Sequence, residues 1–384
     1  MLPLATTTWD ADEYKAMQDV IDSGHFTMGR QVQAFEEAFA RFVGSRFAVM
    51  VNSGSSANLL AVAALFFRKD NPLKAGDEVI VPAVSWATTY YPLHQYGLKL
   101  VFVDVDIHTF NMDLEQLRDA ITDKTRAIFA VNLLGNPMDY TALNQLIAGK
   151  NIALLEDNCE SLGATFCGKN AGTFGVMGTF STFFSHHIST MEGGVVVTDD
   201  EECYHILLSL RAHGWTRNLP FDNKVCIKSN NPFDESFRFV LPGYNVRPLE
   251  LSGALGRKQL EKLPSIIKGR RENARTFQSL FSAIPGIRIQ QETGESSWFG
   301  FALIVDEGME KRNQFVGLLS KVGVDCRPIV AGNFVRNPVV DYFDYRVHGP
   351  LHHSDVLSDC GFFIGNHHYD ISEQLNAIKT LLLA

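Results

Sequence analysis

The sequence predicts an α/β fold, with a large mixed, mostly parallel sheet domain over residues 1–250 and a smaller C-terminal α+β domain over 251–384. Three observations carry this. Short apolar runs alternate with amphipathic stretches through the first half of the chain. The runs are apolar throughout, as in strands covered on both faces, and lack in–out alternation. After Pro285 the composition changes to short strands and helices around Phe301-Ala302-Leu303-Ile304-Val305. At 384 residues, 46% apolar and 20% charged, the chain is long enough for two domains around a large core.

Each element has its own signal. Residues 30–44, RQVQAFEEAFARFVG, place apolar side chains at helical spacing and stop at Gly44. Phe47–Val51 is a strand, Asn52-Ser53-Gly54-Ser55-Ser56 a tight polar turn, and Ala57 to Phe67 a helix. The unit recurs as Glu78–Val81 before 83–95, Leu100–Val105 before 113–121, and Ala127–Val131 before 140–149. Ile152–Leu155 leads into Glu156-Asp157, and Val195–Val197 is a further strand. The polar, irregular stretch 218–238 predicts an exposed loop, and Leu249–Leu280 is helical apart from Pro264.

Composition excludes several function classes. Acidic residues outnumber basic ones, 43 to 34, so a net charge of -9 disfavours nucleic-acid binding. No apolar run approaches bilayer length, and the opening MLPLATTTWDADEYK has no basic region leading into an apolar stretch. Six scattered cysteines without a CxxC pair predict reduced thiols in a cytoplasmic protein, with neither a zinc site nor a disulfide framework. No metal site is expected.

Two strand ends carry candidate chemistry. The Asn52–Ala57 turn joins strand to helix with small residues, so free N–H groups at the helix start can meet an anion. Glu156-Asp157 closes an apolar strand, where an α/β sheet presents ligand groups. A third segment, Phe180 to Gly194, gathers hydroxyls, the pair His186-His187 and a Gly-Gly step ahead of a strand.

Taken together, VNSGSSANLLA, GDEVIVPAVSWATT, LVFVDVD, TRAIFAVNLLGNP, LLEDNCESLGATF and PGYNVRPLELSGALG resemble the pyridoxal-phosphate (PLP) sugar aminotransferases of the DegT/DnrJ/EryC1/StrS family. The resemblance spans nearly the whole chain and implies the fold-type I, aspartate aminotransferase-like architecture. It assigns Gly54 and Ser55 to the cofactor phosphate with Ser181 adding a hydroxyl, and Trp86 to the face of the pyridine ring. Asp157 would pair with the ring nitrogen, and Glu160 would orient the cofactor hydroxyl region or cap the next turn. Asn245 would reach the phosphate of a neighbouring subunit, which implies a homodimer with shared active sites. Ser185, Arg217 and Arg247 are candidate substrate contacts, the two guanidiniums for a pyrophosphate.

One position departs from the aminotransferases. Where they carry the lysine that forms an imine with the cofactor, this chain has His186, and no lysine lies between Lys169 and Lys224. Imidazole cannot form that imine, yet it can move a proton, with an ordinary pKa near 6.5. The run resembles the PLP-dependent sugar 3-dehydratases, which implies pyridoxamine phosphate (PMP) as the working cofactor. The resemblance further implies GDP-4-keto-6-deoxymannose as substrate, L-glutamate as amino donor, and a place in colitose and O-antigen synthesis. A CDP-linked dehydratase, an aminotransferase and an inactive relative are the alternatives. The first uses an iron–sulfur cluster, against which the wide cysteine spacing counts.

Overall fold

The computed structural model describes residues 2–383. Fourteen strands follow in chain order: β1 (Phe47–Val51), β2 (Glu78–Pro82), β3 (Lys99–Val103), β4 (Thr125–Val131), β5 (Ala153–Asp157), β6 (Thr165–Phe166), β7 (Lys169–Asn170), β8 (Met177–Ser181), β9 (Gly194–Thr198), β10 (Ile287–Ile289), β11 (Gly300–Val305), β12 (Cys326–Arg327), β13 (Tyr345–Val347) and β14 (Gly361–Gly365). Eight of them form the main sheet in the order β1-β9-β8-β5-β4-β2-β3-β13. Within it β9 runs antiparallel to β1 and β8, and the other pairs are parallel. A second, antiparallel sheet has the order β10-β11-β14-β12, and β6 and β7 form a small hairpin.

The apolar strand runs are buried on both faces, as their composition requires. On β2, Val79 and Val81 pack with Leu60, Ala64 and Leu93 on one face, while Ile80 packs with Leu117 and Leu143 on the other. At the far end, Met50, Val195 and Phe180 meet Phe35 and Phe39 and the Leu263–Ile267 stretch.

Two element readings shift. The helix after β1 spans Gly54–Phe66, three residues earlier than its apolar pattern, because the Ser53 side chain caps it by accepting from Ser56 N at 3.0 Å. Pro264 does not interrupt the long helix, which runs unbroken from Glu250 to Phe281. Its flanking residues Leu260, Leu263, Ile266 and Ile267 are buried in the core, and that packing offsets the hydrogen bond the proline cannot make. The 218–238 stretch is irregular but for one short helix, Pro232–Glu235. β13, from beyond residue 250, crosses the expected domain boundary and pairs with β3 of the main sheet. Among the described residues no helix is long and apolar enough to cross a membrane.

The Arg30–Val43 helix has no cap of its own at Gly29; it is capped from a distance. The Glu250 carboxylate accepts from Gly29 N at 2.6 Å, Gln31 N at 2.6 Å and Val32 N at 3.2 Å. Replacing Glu250 by Ala leaves three N–H groups without a partner, and denaturant unfolding should record a loss of about 1–3 kcal/mol.

Candidate active site

The carboxyl-terminal ends of β1, β5 and β8 open on one edge of the main sheet, and most of the candidate side chains gather there. They line a cavity of about 580 Å³ that includes Gly54, Ser55, Trp86, Asp157, Glu160, Ser181, Ser185 and His186. Glu192, Arg327 and Phe363 also line it. No lysine is among its lining residues.

Asp157 is the most constrained of these groups. Neighbouring strand residues point to opposite faces, so Glu156 and Asp157 part company at the end of β5. Glu156 turns into the scaffold, where it accepts from Gly172 N at 2.7 Å and Phe174 N at 2.6 Å. Asp157 turns to the cavity. Its Oδ2 accepts from Asn58 Nδ2 and Thr89 Oγ1, both at 2.8 Å, and its Oδ1 accepts from Cys159 N at 3.1 Å. The Asn58 carboxamide is oriented in turn by Thr179 Oγ1, which donates to its Oδ1 at 2.6 Å. Oδ1, with one donor, keeps a lone pair for a positively charged ring N–H.

At the head of the Gly54–Phe66 helix, the N–H groups of Gly54 and Ser55 have no intrahelical acceptor and carry the positive end of the helix dipole. Glycine is required at 54 by close approach: a Cβ there would lie 2.7 Å from Ser181 Cβ. The contact brings the Ser181 hydroxyl to the same helix end. Trp86 lines the same cavity, 60% exposed, as the N-cap of the Ala87–Gln95 helix. A large flat side chain left uncovered beside a carboxylate and a helix start offers a stacking face for an aromatic ring.

His186 lies in the irregular segment after β8, so the strand argument that sets adjacent side chains on opposite faces does not apply to it. Its ring meets Phe299 at 5.1 Å and Phe183 at 5.9 Å between centroids. Burial, with the nearby Arg270 charge, lowers its pKa to about 4, well below the ordinary value the sequence suggests. His186 is therefore neutral at pH 7. His187 is buried in the scaffold, with Nε2 3.1 Å from Ser297 O. Glu160 both lines the cavity and braces a turn, its Oε2 accepting from Leu134 N at 2.9 Å.

Three expected residues are not brought into this cavity. Asn245, Arg217 and Arg247 collect instead around Trp215: Arg217 stacks on its ring at 4.5 Å, and Arg247 Nε donates to Asn245 Oδ1 at 3.0 Å. Sequence reasoning missed Glu192 and Arg327. Glu192 stands beside the Gly-Gly step, a signal that could have found it, whereas Arg327 sits in a two-residue strand with no motif around it.

A sheet edge that presents an acidic strand end, a phosphate-sized helix start and a stacking tryptophan defines a class, and the chain belongs to it: the DegT/DnrJ/EryC1/StrS aminotransferase family, whose profile matches residues 7–377. Among its relatives the chain is 59% identical over 384 residues to the GDP-4-keto-6-deoxy-D-mannose 3-dehydratase of Escherichia coli O55:H7, covering 99% of each protein. It superposes with a TM-score of 0.98, at 58% identity and full coverage of both chains, on a crystal structure of GDP-4-keto-6-deoxymannose-3-dehydratase with a trapped PLP-glutamate geminal diamine. A histidine-to-asparagine mutant of that enzyme with bound GDP-perosamine matches equally, with a TM-score of 0.98, 58% identity and full coverage of both chains.

Burial, and then the Asp157 charge, raise the Glu160 pKa to about 7, against the opposing Leu134 N–H. A carboxyl whose pKa is higher folded than unfolded binds its proton more tightly in the native state, so it favours folding below its unfolded pKa. That contribution is lost as the pH rises from about 4.5 through about 7. Glu160→Gln should therefore gain about 1–2 kcal/mol relative to wild type between pH 5 and pH 8 in paired denaturation curves, once solvent screening is allowed for.

Proposed function

We infer that this chain is a PLP- and PMP-dependent dehydratase that removes the C3 oxygen of GDP-4-keto-6-deoxy-D-mannose, giving the 4-keto-3,6-dideoxy sugar. L-Glutamate regenerates the PMP form and leaves as 2-oxoglutarate. One observation carries the reading: the cavity that fits the cofactor has a neutral imidazole, His186, and no lysine among its lining residues. An aminotransferase of this family needs that lysine.

The residues fit the cofactor in kind. The N–H groups of Gly54 and Ser55 and the Ser181 hydroxyl suit its phosphate, Oδ1 of Asp157 its protonated ring nitrogen, and Trp86 its ring face. PMP supplies an amine that condenses with the C4 ketone and a conjugated ring that accepts electrons. Asp157 keeps the ring nitrogen protonated, which makes it a stronger electron acceptor. His186 takes a proton from the cofactor C4′ carbon. The same low pKa that leaves it a base at neutral pH makes its protonated form a ready acid, so it can pass that proton to the departing C3 hydroxyl. Burial beside Phe299 and Phe183 limits water around the imidazole. Across the full cycle, the oxygen lost from the sugar balances the oxygen gained as glutamate becomes 2-oxoglutarate and ammonia. Arg327 is the one guanidinium among the cavity residues and suits the glutamate carboxylate.

The finer reading adds a homodimer with shared sites, working in the cytoplasm in the synthesis of colitose for O-antigen. Asn245, with Arg217 and Arg247 beside it, would serve the neighbour's cavity. This is supported by the uncovered apolar side chains in the same stretch of chain, Phe237 at 67%, Phe239 at 54% and Leu249 at 56% exposure. Light scattering should give twice the 42.8 kDa chain mass.

Incubation with PMP, L-glutamate and GDP-4-keto-6-deoxymannose should yield a product lacking one oxygen, with ammonia released. His186→Asn should lower that turnover by about a thousandfold or more. A product carrying a new amino group would instead make the protein an aminotransferase.

A further inference from the structure

His186 lacks the support that a proton-transferring histidine ordinarily has. In a Ser-His-Asp arrangement a carboxylate takes the second ring N–H and fixes the orientation of the imidazole. Here, among the described residues, Nδ1 of His186 is buried and has no hydrogen-bond partner. The ring is held by two aromatic neighbours, Phe183 from its own loop and Phe299 from the segment entering β11. Phe299 also touches the ring of His187, at 5.9 Å between centroids, so it contacts both histidines.

Unusual local structure keeps Phe299 in place. The residue before it, Trp298, has φ of 51°, and the facing Leu134 has φ of 53°, both in the left-handed region that side chains other than glycine rarely occupy. The two turns are tied together. Phe299 N donates to Leu134 O at 3.0 Å, and Ser297 N donates to Gly135 O at 3.0 Å. Gly135 is needed there, since a Cβ would lie 2.6 Å from Trp298 N. Glu160 clamps the Leu134 turn from the cavity side. From below, Arg270 donates to both carbonyls of the opposite turn, Trp298 O at 3.2 Å and Phe299 O at 3.1 Å. Arg270 is 5% exposed and has no ion-pair partner among the described residues. A buried guanidinium used only for main-chain carbonyls is costly, and the two left-handed residues add to that cost. Strain of this kind persists where the surrounding structure over-determines it, and it clusters at functional sites.

We propose that Phe299 is a positioning residue for His186: held by Arg270 and the Leu134 turn, its ring replaces the missing hydrogen-bond partner and fixes the imidazole at the cavity wall. The proposal rests on the reading of His186 as the proton carrier. The titratable and charged groups around that imidazole are Arg270 and His187 on the scaffold side, and Asp157, Glu160, Glu192 and Arg327 lining the same cavity. None of them hydrogen-bonds Nδ1, so the orientation falls to the rings.

The test compares wild type with Phe299→Leu, which keeps an apolar side chain of similar bulk and removes the ring, and with Phe299→Met should the leucine variant fail to fold. Histidine-labelled protein is titrated by NMR, with the His186 signal assigned by its loss in His186→Asn. The ringless variant should admit water, and its midpoint should rise by about one pH unit or more toward the ordinary histidine value. Dehydration kcat should fall about tenfold to a hundredfold while KM for the sugar nucleotide stays within about twofold, as expected when a reacting group is misaligned and binding is untouched. Coincident titration curves would overturn the proposal. The titration needs no substrate: should wild type fail to dehydrate the sugar nucleotide, the functional reading falls while the midpoints still decide the role of Phe299.

Discussion

The carboxylate of Asp157 is the fixed point on which the site depends. Its oxygens receive Asn58 from the Gly54–Phe66 helix, Thr89 from the Ala87–Gln95 helix and the backbone of Cys159. One buried anion thereby ties the helix that offers a phosphate site to the helix that carries the stacking tryptophan. A carboxylate without those donors would be expensive to bury, and the helices without the carboxylate would lose their common reference. The spacing between the helix start at Gly54 and the Asp157 carboxylate is set by this joint, at the end of a strand whose neighbours on both sides are parallel.

Against that rigid frame, the reaction turns on one exchanged side chain. A lysine at position 186 would be a primary amine able to bond the cofactor covalently and to occupy the place of its amino group. An imidazole leaves that place open for substrate and keeps only proton transfer. Its surroundings suit that narrower role, since burial and a nearby guanidinium hold it neutral and aromatic rings confine it. The family's scaffold is untouched, and the difference in chemistry lies in one side chain on the cavity wall.

Much of this was legible in the sequence because strand ends announce themselves. The apolar runs at 47–51 and 152–155, followed at once by small or acidic residues, locate Gly54 and Asp157 without structural help. The absence of lysine from 170 to 223 is likewise visible in one dimension. Groups that reach the cavity from distant chain left no trace. Arg327 lies in a strand of two residues, and Phe299 and Arg270 matter through left-handed turns and carbonyl contacts that no periodicity encodes. The pKa of His186 departs from its ordinary value for the same reason, since one of the rings packed on it, Phe299, and the guanidinium near it both come from parts of the chain remote from its own loop.

The pairing of β13 with β3 has a consequence for how the chain assembles. During synthesis, the strands from β1 to β9 emerge together and can build seven-eighths of the main sheet, but β3 stays an open edge until residues 345–347 arrive. An edge strand as apolar as Leu100-Val101-Phe102-Val103 is an invitation to pair with another chain. The nascent protein therefore carries its greatest aggregation hazard late, with most of the fold complete and its last protecting strand still to come.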